Sequence, residues 1–147
     1  MGSATTLDLA RAALRRAKRW LQGARRALED GRWDDVVYAS QMAVEHSAKG
    51  VLIAFGVEFP KVHDVSPVLR LLPSRRELPR WFTSQLEELA EDASELARLR
   101  AIASYGYEMG ADESYFKDYA PEALRKAEKH YTACVNLLRE VFGVEVE

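Results

Sequence analysis

The chain has 147 residues, of which 48% are hydrophobic and 30% are charged, a balance typical of a folded domain rather than a disordered segment. Its lone Cys134 excludes an internal disulfide, and no apolar run reaches the roughly 18 residues that a membrane span requires. The N-terminus also carries no apolar secretion signal, so we expect a cytoplasmic protein whose residues 1–147 form one domain without a membrane partner.

The net charge of −2 hides an asymmetry between the start of the chain and the rest. Residues 1–28 hold seven basic side chains and one acidic one, so they carry +6 and the remaining residues carry −8. The basic residues are Arg11, Arg15, Arg16, Lys18, Arg19, Arg25 and Arg26. Such a strip can follow a phosphate backbone, meet the acidic surface of another subunit, or face water. Few amides among many charges is also a pattern of thermophile proteins.

The first predicted helix runs from about Thr6 to Glu29 and carries a heptad-like apolar seam, in which leucines recur every seven residues with alanines between them. The seam consists of Leu7, Ala10, Leu14, Ala17, Leu21, Ala24 and Leu28. Thr5 followed by Asp8 predicts a capping box, and Gly31 predicts the end of the helix. Because this seam and the other apolar faces exceed what one short bundle buries, we expect a homodimer with two-fold symmetry.

The second predicted helix spans about Trp33 to Phe55 and stops at Gly56. One of its faces is apolar, and the opposite face carries Gln41, Glu45 and Lys49 at four-residue spacing, where Glu45 and Lys49 can pair. A solvated row with one weak salt bridge is the simplest interpretation. The other interpretation is a row that binds a ligand or a partner.

Three further helices follow. A short helix over Ser66–Leu72 has Ser66 as its predicted N-cap and a proline in the first helical position. A polar connector over 73–79 leads to a fourth helix from Arg80 to about Ile102, and the last helix spans Pro121–Phe142. No stretch alternates with a period of two residues. We therefore predict an all-α fold, an up-and-down bundle of four long helices and one short helix.

The connection from Ala103 to Ala120 is unusually long for a compact helical bundle. It holds four of the six tyrosines, at Tyr105, Tyr107, Tyr115 and Tyr119. Such a loop either folds back and anchors itself on the bundle or carries function.

The sequence carries none of the common catalytic or cofactor motifs. His46, His63 and His130 lie far apart and show no metal-binding spacing, and no phosphate-loop, dinucleotide-binding or nucleophile-elbow pattern is present. We predict no metal, no cofactor and no catalytic residue from these patterns.

The pattern Ser40-Gln41-x-Ala43-Val44-Glu45-x-Ser47-x-Lys49-x-Val51-Leu52 in the second helix resembles the HEPN family (higher eukaryotes and prokaryotes nucleotide-binding), in its minimal prokaryotic type. Family members typically read Ala-Gln-Gln-Ala-Val-Glu-Lys-Ala-Leu-Lys-Ala-Leu at this point. Gly56, His63 and the segment 103–107 also stand where the family has a glycine, a loop histidine and a late basic-aromatic motif. The resemblance covers nearly the whole chain.

The ribonuclease members of this family carry an arginine that is followed, after four to six residues, by a histidine. After Arg98 or Arg100 these positions fall within residues 103–107, which contain no histidine. The resemblance therefore implies that the general base of that reaction is missing, and we expect no RNA cleavage. A divergent ribonuclease that uses His46 or His63 as its base is the alternative.

The resemblance implies a nucleotide- or partner-binding subunit, which acts with a small nucleotidyltransferase in a toxin–antitoxin-type module. Its site is expected in a cleft between the second and fourth helices, under the tyrosine loop. The site residues implied are Glu45, Lys49, Arg98, Arg100, Tyr105 and Tyr107. In paired systems the transferase can attach a nucleotide to a tyrosine near the late motif, which makes Tyr105 and Tyr107 candidate acceptors. A third possibility is a structural dimerisation module without a ligand.

Overall fold

Residues 5–146 are described by a computed structural model, and within this range the chain forms helices and no strand. The helices are α1 (Thr6–Glu29), α2 (Trp33–Ala54), α3 (Ser66–Arg75), α4 (Arg80–Tyr105) and α5 (Ala120–Phe142), with a 3-10 turn over Gly106–Met109 after α4. The prediction of an all-α bundle with four long helices and one short one is confirmed.

The seam of α1 is buried within the single chain. Its members Ala10, Leu14, Ala17, Leu21 and Ala24 are buried, Leu7 and Leu28 at its two ends are partly buried, and α1 packs mainly on α2. A Cβ atom built on Gly50 of α2 would lie 3.2 Å from Cγ of Leu14 and 3.3 Å from the carbonyl oxygen of Ala10. The glycine therefore permits a close approach of α1 and α2. Because the seam is already covered, it no longer supplies the surplus apolar surface from which we expected a dimer.

The caps of α1 follow the sequence prediction. Oγ1 of Thr5 accepts a hydrogen bond from the backbone N–H of Asp8 at 3.0 Å, and Oδ2 of Asp8 accepts one from the N–H of Thr5 at 3.2 Å. This reciprocal pair satisfies two of the N–H groups that a helix start leaves without an intrahelical partner.

The central helix is α2, which packs against α1, α4 and α5. Two apolar clusters surround it. One gathers its C-terminal half with α3 and the start of α4, and the other gathers its N-terminal half with the ends of α1 and α4. Among residues 5–146, no helix is both long enough and apolar enough to cross a bilayer.

The ends of α3 and α4 differ from the sequence prediction. The N-cap of α3 is Val65 rather than Ser66, and Oδ1 of Asp64 accepts the Ser66 N–H at 2.9 Å. The helix continues through Pro73, which is exposed and gives up only one backbone hydrogen bond. At the other end, α4 extends past Ile102 because Ala103 is buried against the bundle and keeps the last turn packed.

Candidate functional site

The middle of α2 carries a buried polar cluster, here called the Glu45 centre, formed by Gln41, Glu45, Lys49 and His63. The Glu45 side chain is only 6% exposed. Its Oε2 accepts a hydrogen bond from Nζ of Lys49 at 2.8 Å, while Oε1 lies 2.8 Å from Nδ1 of His63 and accepts Nε2–H of Gln41 at 3.1 Å. Both oxygens of this buried carboxylate thus have partners, as burial of a charge requires.

The row Gln41, Glu45, Lys49 is therefore enclosed, and its interpretation as a solvated row was wrong. The chain between α2 and α3 returns over this face, and Nε2 of Gln41 also lies 3.5 Å from the carbonyl oxygen of His63. Burial by itself raises the pKa of Glu45, but the hydrogen bonds from Lys49, Gln41 and His63 outweigh it and hold the pKa below its usual value.

His63 is the exposed member of the Glu45 centre, with 51% of its side chain accessible. When Nδ1 carries the proton and donates it to Glu45, Nε2 keeps its lone pair and has no partner among residues 5–146. A carboxylate that orients an imidazole in this way is the arrangement found in many general bases. His46 differs, because burial lowers its pKa despite the opposing charge of Glu45.

Arg98 and Arg100 on α4 point to different surroundings. Nη2 of Arg100 donates to the hydroxyl of Tyr38 at 3.1 Å, and the guanidinium lies 5.0 Å from the centre of that ring. Arg98 is exposed, and its Nη1 donates to Oγ of Ser94 at 3.2 Å. Tyr38 precedes Glu45 by seven residues, or about 10 Å along α2. Arg100 therefore contacts α2 two turns away from the Glu45 centre.

Residues 105–116, which begin with the last residue of α4, form the tyrosine segment. A cavity of about 420 Å³ lies between this segment and the start of α2. Its lining includes Asp34, Ser104, Tyr107, Asp112, Tyr115 and Phe116. Tyr105 is 53% exposed and Tyr107 is 71% exposed, and neither hydroxyl has a partner within residues 5–146. Phe116 alone of these rings is buried and anchors the segment.

Tyr119, which follows the segment, is held differently. Its hydroxyl donates to Glu95, which also pairs with Lys126 of α5. Burial first, and then the bond to Glu95, raises the pKa of Tyr119 far above its usual value. This phenol therefore stays protonated and belongs to the contact between α4 and α5.

The six predicted site residues thus lie in three places: Glu45 and Lys49 in the Glu45 centre, Arg100 against Tyr38, and Arg98, Tyr105 and Tyr107 on the surface at the end of α4. Sequence reasoning missed Tyr38 and the bond between Glu45 and His63. Tyr38 could have been found from its spacing, since Tyr38, Gln41 and Glu45 share one helical face. The contact with His63 depends on the path of a loop and has no local signal.

The family model described as "HEPN domain" matches residues 10–139, which include all of α2, α3 and α4. The chain belongs to the HEPN family. The chain also superposes on the crystal structure of TT1696 from Thermus thermophilus with a TM-score of 0.70 at 27% identity, and the match covers 88% of this chain and 98% of that one. The protein named "Putative toxin MJ1304" from Methanocaldococcus jannaschii is 28% identical over 148 residues, which is 97% of each chain.

Within this HEPN chain, the positions that follow Arg98 and Arg100 form the last turn of α4 and the 3-10 turn. They offer the hydroxyl groups of Ser104, Tyr105 and Tyr107 in place of an imidazole. The groups available at this end of α4 are hydroxyls, each of which can donate and accept a hydrogen bond.

Proposed function

We propose that this HEPN protein is the toxin-side subunit of a toxin–antitoxin-type module and that its partner is a small nucleotidyltransferase. The observation that carries the proposal is the exposure of Tyr105 and Tyr107 at the C-terminal end of α4, with hydroxyls that have no partner among the described residues. The similarity over 97% of the chain to a protein named as a toxin supports the same assignment.

The proposed modification is nucleotide transfer to a tyrosine hydroxyl. The phenol oxygen of Tyr105 or Tyr107 attacks the α-phosphorus of a nucleoside triphosphate held by the partner, the phenol loses its proton, and pyrophosphate leaves. Arg98 precedes Tyr105 by seven residues on the same face of α4, or about 10 Å along the helix. A new phosphodiester at Tyr105 would place a negative charge within reach of that exposed guanidinium.

Co-expression with a nucleotidyltransferase encoded beside this protein, followed by intact mass measurement, tests the proposal. We expect a nucleotide-sized increase in mass that is lost in Tyr105→Phe or Tyr107→Phe. Tyr115→Phe is the matched control, because Tyr115 is 59% exposed and lines the same cavity. An unmodified chain in the presence of an active transferase, with no complex between the two proteins, would contradict the proposal.

The proposed binding surface includes Lys49 of the Glu45 centre, whose side chain is 19% exposed, and Arg100, and both carry positive charge that a nucleotide or the partner can meet. Their contribution is tested by Lys49→Met, with binding of the transferase as the measurement. We expect weaker binding without loss of the tyrosine acceptors.

We also propose a homodimer. Its support now comes from large apolar side chains that the chain leaves exposed outside the tyrosine segment, notably Leu9, Val62 and Leu71. Light scattering at tens of micromolar protein should give twice the mass of the 147-residue chain, and a monomer at that concentration would exclude this assembly. A dimer that binds neither nucleotide nor transferase would instead favour a purely structural module.

A divergent ribonuclease is the second candidate, and the Glu45–His63 contact of 2.8 Å favours it. In this mechanism Nε2 of His63 would take the proton of an RNA 2′-hydroxyl while Glu45 orients the ring. Metal-independent RNA cleavage that His63→Ala abolishes and His46→Ala retains would establish it. Absence of cleavage by the purified wild-type protein would exclude it and leave the tyrosine proposal untouched.

A further inference from the structure

A second concave surface lies between α1 and the start of α2, away from the tyrosine segment. This groove has a volume of about 220 Å³, and its wall includes Trp20, Gly23, Ala27, Arg32 and Tyr38. A Cβ atom at Gly23 would meet nothing within 4 Å, so the small residues leave the groove open beside the two rings. Its volume lies below the roughly 300–1,000 Å³ of pockets for drug-sized ligands and suits a single planar ring.

Two aromatic rings line this groove, which will be called the Trp20 groove, and each ring also contacts a guanidinium that lies outside the lining. Trp20 and Tyr38 meet edge to face with ring centres 5.9 Å apart. The guanidinium of Arg16 lies 5.1 Å from the Trp20 ring, and that of Arg100 lies 5.0 Å from the Tyr38 ring. Aromatic faces and guanidinium planes are the two surfaces on which proteins stack unpaired bases.

One N–H donor of the Trp20 groove has no acceptor. Nε1 of Trp20 is buried and has no hydrogen-bond partner among residues 5–146, and the same is true of Nε of Arg100, whose side chain contacts Tyr38 without lining the groove. A buried donor without a hydrogen-bond partner lowers the stability of the fold, so its presence needs an explanation. A ligand with acceptor atoms, such as the carbonyl and ring-nitrogen atoms of a nucleobase, would supply one.

The basic strip of α1 runs beside this groove. Arg16, Arg19 and Arg26 have no carboxylate partner within the described part of the chain, and all three are exposed. They extend over ten residues, or about 15 Å along the helix. Arg25 on the same helix behaves differently, because it pairs with Glu128 at 2.9 Å. The strip therefore offers several uncompensated charges next to an aromatic groove.

We propose that the Trp20 groove and the arginines of α1 bind single-stranded nucleic acid. One base enters the groove beside the Trp20 and Tyr38 rings, and the phosphates follow Arg16, Arg19 and Arg26. An acidic protein surface would use the arginines but not the ring-sized groove, and a duplex keeps its bases stacked and unavailable. The proposal does not depend on the nucleotidyltransferase, and its test is independent of the test for modification of Tyr105 or Tyr107.

Fluorescence anisotropy with labelled oligouridine and oligothymidine, and with a duplex RNA of equal length, tests the proposal. We expect at least one of the single strands to bind more tightly than the duplex, with affinity that falls as salt rises. Arg16→Ala and Arg19→Ala should each weaken binding and reduce the salt slope by about 0.7. Arg25→Ala is the matched control on the same helix and should leave binding unchanged.

The groove itself is tested by Trp20→Leu, which should weaken binding roughly fivefold or more, while Trp20→Phe keeps most of the affinity. If Trp20→Leu fails to fold, Arg16→Ala and Trp20→Phe still decide the outcome, because Arg16 is exposed. No binding of either single strand at about 50 mM salt would overturn the proposal. Three further results would overturn it as well. They are a duplex that binds as tightly as the single strands, a loss of affinity in Arg25→Ala equal to that in Arg16→Ala, and full displacement of the oligonucleotide by polyglutamate.

Discussion

The Glu45 centre lies at the middle of α2 and the tyrosine segment near the start of that helix, and the two regions treat polar groups in opposite ways. The Glu45 centre encloses a carboxylate that is 6% exposed and gives each of its oxygens a partner. The tyrosine segment leaves two phenols, Tyr105 and Tyr107, more than half exposed and without partners in the described range. One region uses its polar groups to fix the chain, and the other keeps them available.

The predicted site residues therefore have two different roles: some stabilise the fold, and others remain available to a partner. Gln41, Glu45 and His63 together hold the connection between α2 and α3 against the bundle, since Gln41 reaches both the Glu45 carboxylate and the backbone of His63. Nε2 of His63 and the exposed part of Lys49 are left for a substrate or partner. Stability therefore depends on the Glu45 centre, whereas a partner that modifies the protein finds unoccupied hydroxyl groups at the tyrosine segment.

The largest effect is expected from Glu45→Ala. The substitution leaves Lys49, His63 and Gln41 without their shared acceptor, and breaking a buried ion pair costs roughly 3–5 kcal/mol. Urea denaturation followed by circular dichroism measures the loss, and Glu87→Ala is the matched control. The Glu87 side chain is 75% exposed and pairs with Arg70, so its removal should cost less than about 1 kcal/mol. Equal effects of the two substitutions would show that the Glu45 centre does not stabilise the fold.

The second effect is a dependence of stability on pH, which we expect from His130, a buried group outside the Glu45 centre and the tyrosine segment. Burial lowers the pKa of His130 to about 4, and the charge of Lys129 acts in the same direction while the backbone of Leu89 opposes it. The unfolded chain binds a proton near pH 6.5 and the folded chain does not, so stability falls as pH drops from about 6.5 to about 4. The loss at the lower limit is about 3 kcal/mol, since one pKa unit is about 1.4 kcal/mol.

His130→Leu isolates this contribution, because it removes the titrating group and keeps an apolar side chain in the core. Denaturation curves between pH 7 and pH 4 should show a smaller loss for His130→Leu than for the wild type. Glu45 adds to the loss in both proteins at the acid end, because its lowered pKa gives stability that disappears as pH falls through the folded value. Parallel curves for the two proteins would contradict the assignment to His130.

Much of the fold could be predicted because its signals are local. The Thr5–Asp8 capping box and the seven-residue repeat set the start and the buried face of α1, and Gly143, which has a positive φ of 68°, ends α5. The ends of α3 and α4 were missed because Pro73 and Gly106 only weaken a helix, and packing of neighbouring residues decided where each one stops.

The surroundings of the site residues could not be predicted, because they depend on the path of the loops. Whether Glu45 is solvated depends on the return of residues 57–65 over α2, and four-residue spacing carries no information about that loop. Arg100 contacts Tyr38 across 62 residues of sequence, a contact that no local pattern indicates. The residues of the candidate site could be named from the sequence, whereas the hydrogen-bond partners of each one depend on tertiary contacts.

The smallest effects should distinguish the tyrosines themselves. Tyr119→Phe removes a hydrogen bond to the charged Glu95, and such a bond contributes about 1.5–3 kcal/mol. Because Glu95 keeps Lys126 as a partner, we expect a loss at or below the lower end of that range. Tyr107→Phe removes a hydroxyl without a described partner and should change stability by less than about 0.5 kcal/mol. Thermal unfolding of both variants at one pH measures the difference. A cost for Tyr107→Phe equal to that of Tyr119→Phe would mean that its hydroxyl is already bound in the folded protein, and Tyr107 could not then serve as a free acceptor.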